Sequence, residues 1–406
     1  MSTTPTTATA AAKGGIWKQS RTFEPAVRLL FLNQLTINLG FYMLMPYLAA
    51  HLADGLGMAA WSVGLVLGVR NLSQQGMFLI GGALADRLGF KPLIVAGCAL
   101  RTAGFGALAF AQSLPVLIAA SVATGLAGAL FNPAVRAYLA AEAGERRVEA
   151  FALFNTYYQA GILLGPLVGV ALTGVSFRLT CVVAAVLFAA LTVVQLRHLP
   201  VRVREEAAEP AGEGGQFRTV LANRTFWLFS LAMTGSYVLS FQVYLALPLA
   251  ADSTVVTTAL FVVSALVALA GQLRITAWCK RRLTRERCLI LGLGLMGAAF
   301  LLPVAARGVA GLLLCAAVLA LANAVLYPYE MDTVVALSGG RWVATHYGLY
   351  NTVCGVGITL GNLGTGALLD LTGRSVTPWL VLCGVGLVCA AAVGVLARGG
   401  RLAGTL

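Results

Sequence analysis

Apolar residues run through this chain in twelve blocks, at roughly 27 to 50, 62 to 85, 92 to 111, 115 to 138, 150 to 173, 179 to 196, 226 to 250, 257 to 279, 288 to 306, 309 to 336, 345 to 370 and 378 to 397. Each is long enough for the ~20 residues that an α-helix needs to cross a hydrocarbon core. The pattern therefore predicts an all-α membrane protein with twelve transmembrane helices. The widest polar gap, residues 198 to 223, sets Arg202, Arg204 and Arg218 against Glu205, Glu206, Glu209 and Glu213, with Pro and Gly between. It predicts a cytoplasmic linker between a six-helix bundle at 26 to 197 and a second at 224 to 397. Residues 1 to 25 are rich in Thr and Ala and predict a disordered cytoplasmic tail, with a short second tail at 398 to 406.

Composition agrees: 59% of the residues are hydrophobic and 11% charged, with a mean hydropathy of +0.85, which excludes a soluble globule. A net charge of +13 would suggest nucleic acid in a soluble protein. Here its placement argues otherwise. With the N-terminus inside, 23 of the 28 Lys and Arg fall on the inner side; Arg178, Arg307 and Arg374 fall outside, and Arg70 and Arg101 lie within the membrane. That asymmetry predicts cytoplasmic termini in a plasma (inner) membrane protein. The first helix carries Asn33, Gln34 and Asn38, unlike a cleavable signal peptide. The eight cysteines show no CxxC spacing and none lies in an outer loop, so neither a disulfide framework nor a metal site is indicated. Nothing in the chain has the pattern of a catalytic triad or a phosphate loop; no enzyme activity and no cofactor are expected.

The two halves resemble each other. Leu130-Phe131, Gly144, Asn155-Thr156, Gly161-Ile162 and Leu164-Gly165 recur 196 residues later as Leu326-Tyr327, Gly340, Asn351-Thr352, Gly357-Ile358 and Leu360-Gly361. A parallel repeat of six helices follows.

Two stretches carry the most specific signals. Between helices 2 and 3, Gly82, Asp86, Arg87, Gly89 and Lys91 make a short charged turn in which Asp86 ends one helix and Lys91-Pro92 starts the next. In helix 5, Gly161, Gly165 and Gly169 recur every four residues, with Pro166 after the second. Glycines so spaced form one stripe on which a partner helix can lie closely. The first stretch resembles motif A of the major facilitator superfamily, the second its motif C, the signature of the drug:proton antiporter branch. Helix 2 from Gly68 and helix 3 around Arg101 look like the MdtH type of multidrug exporter. The resemblance covers residues 26 to 397 and implies two pseudo-symmetric bundles rocking about a central site. It departs at Phe90, where motif A has a second basic residue, so that Lys91 or Arg136 would have to pair with Asp86; Ser121 replaces the motif B arginine.

Charges inside a membrane cost ~2.5 to 3.5 kcal/mol each at a helix centre on insertion scales, so Arg70, Arg101 and Arg136 call for a reason. Arg70 and Arg101 serve either as packing glue, or as holders of an anionic substrate group, or to set the pKa of a carboxylate, while Arg136 lies toward the inner end of helix 4. Glu330 and Asp332 are the acids within helical runs away from turns, and they are the proton-coupling candidates. Glu330 shares a face with Asn323 and Tyr327. The resemblance implies a cavity lined by helices 1, 4, 5, 7, 10 and 11. Its candidate walls are Gln34, Asn38, Tyr42 and Met45, then Asn155 and Gln159, then Tyr237, Phe241 and Tyr244, with Asn323 and Tyr327. Apolar and aromatic walls with a few polar groups suit small amphipathic compounds. The expected function is proton-coupled efflux of such compounds, antibiotics among them, by a monomer in the lipid bilayer. A transporter dedicated to one metabolite or nutrient, and a non-transporting membrane receptor, remain as alternatives.

Overall fold

The computed structural model describes residues 15–58, 60–201, 215–251, 254–372, 375–400 and 402. Twelve long helices order the described chain: α1 (Pro25–Tyr42), α2 (Ala60–Leu88), α3 (Phe90–Leu108), α4 (Leu114–Ala143), α5 (Arg147–Thr173), α6 (Phe177–His198), α7 (Arg224–Phe241), α8 (Thr254–Arg282), α9 (Arg285–Ala299), α10 (Val309–Ser338), α11 (Val343–Thr372) and α12 (Thr377–Arg398). Among the described residues, eight stretches, one of them spanning both α4 and α5, are long and apolar enough to cross a membrane by length and composition. The first three helices fall outside that set; Asn33, Gln34 and Asn38, Arg70, Gln74 and Gln75, and Lys91 and Arg101 make them more polar.

Local chemistry sets the ends. Ser176, Asn223 and Thr284 each accept a backbone N–H at the start of α6, α7 and α9. Gly89 turns the chain between α2 and α3 at φ +93°, a conformation open to glycine. Helix 1 of the sequence pattern divides after Tyr42 and resumes as Met45–Ala50, because Pro46 has no N–H to extend the ladder; the seventh does likewise after Phe241, resuming at Ala246–Ala251 around Pro248.

The packing repeats between halves. Helices α2 and α4, α3 and α4, α3 and α6, and α1 and α5 pack extensively; so do their equivalents α8 and α10, α9 and α10, α9 and α12, and α7 and α11. Across the halves the same symmetry pairs α2 with α11 and α5 with α8, then α4 with α11 and α10 with α5.

Two expectations change. Residues 16 to 20 of the predicted disordered tail form a short helix, which docks because Tyr157 donates to Ser20 (3.2 Å) and Arg146 donates to Thr22 while covering the Phe23 ring. The predicted linker contains a helix at Gly215–Ala222, which ends the stretch just before α7; Arg202, Arg204, Glu205, Glu206, Glu209, Glu213 and the outer-loop Arg374 lie outside the described residues.

Candidate functional site

The described contacts between the halves crowd toward one end, that of the basic loops. Asp86, at the end of α2, accepts from the backbone N–H of Ala344 (3.1 Å) and Thr345 (2.7 Å) and from Thr345 Oγ1 (2.6 Å), all in the first turn of α11. Helix N-termini present unpaired N–H groups and partial positive charge, which suit a carboxylate. Gly82 makes the approach possible: a Cβ there would run into the Ala344 carbonyl. Arg87 is exposed beside it. The pairing expected for Lys91 or Arg136 does not form. Lys91 instead donates to the Leu196 carbonyl (2.9 Å), Arg136 donates to Asn351 (2.9 Å), and Phe90 packs edge-on against Tyr138.

A second set of contacts between the halves is ionic and starts from α5. Asp332 meets Arg147 of the other half at 2.8 Å and Arg285 at 3.5 Å, and Glu149 meets Lys280 across the halves at 2.6 Å. Deeper in, Asn155 donates to Gln272 of α8 (2.8 Å), which donates to the Ala324 carbonyl (3.0 Å). Burial tells where closure stops. On α5 every residue from Ala150 to Thr156 is buried, while Leu167 and Val170 are exposed; on α11 Ala344 to Asn351 are buried, while Leu360 and Leu363 are 64% and 67% exposed. The halves are joined at the basic end and splayed at the other.

At the base of the splay is a cluster of tyrosines around Arg136 and Glu330. Glu330, 2% exposed, accepts a short hydrogen bond from Tyr350, and Tyr237 closes on the same carboxyl. Arg136, from the other half, contacts Tyr327 and is an electrostatic neighbour of Glu330. Toward the open end Tyr42, Tyr158 and Tyr244 meet across the halves, and the Phe241 and Tyr244 rings lie tilted at 43° with centroids 5.4 Å apart. Gln159, Asn323, Met45 and Tyr327 are half-buried on these helices. Gln34 and Asn38 are both buried on α1; Asn38 donates to the Gln34 carbonyl (2.7 Å) and packs on Gly161 in the seam between α1 and α5.

That seam is built by the helix 5 glycines. Side chains at Gly161, Gly165 and Gly169 would collide with Asn38 and Leu39, with Tyr42 and Met43, and with Met43 and Tyr47. Tyr47 donates to the Pro166 carbonyl (3.0 Å). In the second half Gly357 and Gly361 receive Thr234 and Val238 of α7 in the same way. Arg70 donates to Asn71 (2.8 Å) and Gln74 (3.1 Å) and covers the Phe41 ring, while Arg101 covers Phe188. Tyr158, Gln272 and Tyr350 were not singled out in the sequence; Asn351 was, as the repeat image of Asn155, but not as a site residue.

The fold and the paired halves are those of a secondary transporter, and the chain belongs to the Major Facilitator Superfamily, whose model matches residues 30–361. An uncharacterised MFS-type transporter of Mycobacterium tuberculosis is 53% identical over 394 residues, covering 93% of this chain and 94% of that one. The multidrug resistance protein MdtH of Klebsiella pneumoniae is 31% identical over 88% of this chain and 91% of its own, and that of Aeromonas hydrophila 33% over 88% and 92%. Among solved structures, the human organic anion transporter MFSD10 superposes with a TM-score of 0.72 at 16% identity, covering 91% of this chain and 98% of its own. The fucose:proton symporter FucP of E. coli does so with 0.72 at 14%, covering 92% and 98%.

Proposed function

We propose that this transporter exports small amphipathic compounds across the plasma membrane in exchange for protons, with its basic end and both termini in the cytoplasm. The observation that carries the reading is Glu330, a carboxyl sealed among Tyr350 and Tyr237 beside a cation from the opposite half. Intramembrane acids at a bundle interface are the groups that relay protons in transporters. When the halves part at the basic end, Arg136 leaves and water reaches the carboxyl, so its surroundings alternate once per cycle. The tyrosines above it offer flat apolar faces with hydroxyl tips, suited to aromatic compounds of varied outline. The MdtH relatives support a drug-like substrate.

The test is the accumulation of a fluorescent amphipathic dye in energised cells with and without the protein. The protein is expected to lower accumulation, and a protonophore to abolish the difference. Equal accumulation with and without the protein over a panel of dyes would favour a transporter dedicated to one metabolite.

A further inference from the structure

Arg70 and Arg101 are not used by any of this. Arg70 is the eleventh residue of α2 and Arg101 the twelfth of α3, so both sit ~15 Å along their helices, near the membrane's middle. Arg101 is 6% exposed and is an electrostatic neighbour of Arg70. Neither makes an ion pair with an acid among the described residues. Arg70 spends two N–H groups on Asn71 and Gln74, yet its Nε is buried without a hydrogen-bond partner, and so is the Nε of Arg101. Two like charges placed together in an apolar interior are doubly unfavourable, by desolvation and by repulsion. Such a pair becomes favourable when an anion joins it.

The walls have a shape. Phe41 lies 4.4 Å under the Arg70 guanidinium and Phe188 lies 5.6 Å from that of Arg101; Phe188 in turn stacks on Phe105. Arg70 also neighbours Tyr42, one of the three tyrosines that meet across the halves toward the open end. Arg70 thus lies toward the path between the bundles, with Arg101 its neighbour inside the same half.

We propose that Arg70 and Arg101 form an anion site that receives the carboxylate, or a similar acidic group, of an amphipathic aromatic compound carried by this protein. The inference rests on the transport reading and narrows its substrate class to acids and zwitterions. Guanidinium N–H groups can grip a carboxylate by charge-assisted hydrogen bonds, while the phenyl rings shield the contact from water.

The experiment is equilibrium binding to the full-length protein in detergent, using dansyl-phenylalanine and its methyl ester as fluorescent probes. Wild type is expected to bind the acid more tightly than the ester. Arg101→Gln and Arg70→Gln are each expected to weaken the acid about tenfold or more while moving the ester less than about twofold, and Arg101→Lys to restore part of the preference. Because loss of a buried arginine can unfold the bundle, each variant is first checked for a monodisperse elution profile; Arg70→Gln, at a half-buried position, carries the test if Arg101→Gln does not fold. The proposal is overturned if wild type binds acid and ester alike, if it binds neither, or if both variants keep the acid preference. It is overturned as well if sodium sulfate at fixed ionic strength displaces acid and ester equally, since the competition would then not act through the carboxylate. Failure of dye export with an intact acid preference would remove the export reading and leave this site standing.

Discussion

Glu330 and Asp332 sit two residues apart on α10, and their surroundings give them different tasks. Glu330 points into the tyrosines and takes its hydrogen bond from Tyr350. Asp332 points to the other half and holds Arg147 and Arg285. A carboxyl that carries a proton must lose coupling when it is made permanently neutral, whereas a carboxyl that only pairs with arginine loses an ionic contact. Glu330→Gln is therefore expected to abolish uphill export while leaving substrate binding and downhill exchange, because glutamine keeps the shape and most of the hydrogen bonding. Substrate-induced proton release from purified protein, beside efflux in cells, measures it; normal release by Glu330→Gln would remove Glu330 from the role. Asp332→Asn is expected to keep proton release and to weaken closure of the basic end by about 1 kcal/mol, roughly a fivefold shift in the ratio of conformers, as suits a partly exposed pair. Loss of release in Asp332→Asn with normal release in Glu330→Gln would exchange the two assignments.

At the scale of the elements, two close glycine contacts differ in what they join. Gly165 packs α5 on α1, inside one half, where a side chain would strike Tyr42 at 2.6 Å and the Leu39 carbonyl at 3.1 Å. Gly82 packs α2 on α11, between halves. Gly165→Leu is expected to lower the yield and thermal stability of the folded protein, since neither helix can move without opening the bundle. Gly82→Val is expected to leave yield near normal and to disfavour the state joined at the basic end, because the halves can part there. Melting curves in detergent separate the two, and equal melting temperatures would show that the seams are equivalent. Periodicity and apolar length made the twelve helices legible, and the spacing of Gly161, Gly165 and Gly169 marked a seam without saying which helix fills it. The partners Gln272, Tyr350 and Tyr158 were not legible. Each is a single polar or aromatic residue on an apolar helix, and what gives it meaning is a neighbour on another helix, such as Asn155 for Gln272 or Glu330 for Tyr350. The turn at Asp86 shows the reverse: a carboxylate at the close of one helix needs N–H donors, and the structure supplies them from the start of α11.

The whole molecule is held in one arrangement by contacts between the halves at the basic end, and removing one of them should tip the balance. Asp86 faces two backbone N–H groups and a hydroxyl of α11. Asparagine can accept with one oxygen, but its amide then turns N–H groups toward N–H groups and its charge no longer meets the helix dipole. The cost should be about 1 to 3 kcal/mol, enough to change the ratio of the two conformers by roughly five- to a hundredfold. Spin labels report the change. Val175, after α5, and Leu371, near the end of α11, are 74% and 84% exposed and mark the two halves at the splayed end. Seven of the eight native cysteines are buried, so labels directed to cysteines introduced at these positions compete chiefly with the half-buried Cys389. With Asp86 intact the distance distribution between positions 175 and 371 is expected to be dominated by a long component; in Asp86→Asn a shorter one should grow as the basic end opens and the other end closes. Because rocking couples the two ends, a label pair at the basic end should lengthen in the same sample. An unchanged distribution at both ends would mean that the ion pairs of Asp332 and Glu149 suffice to hold the halves, and that Asp86 is no latch.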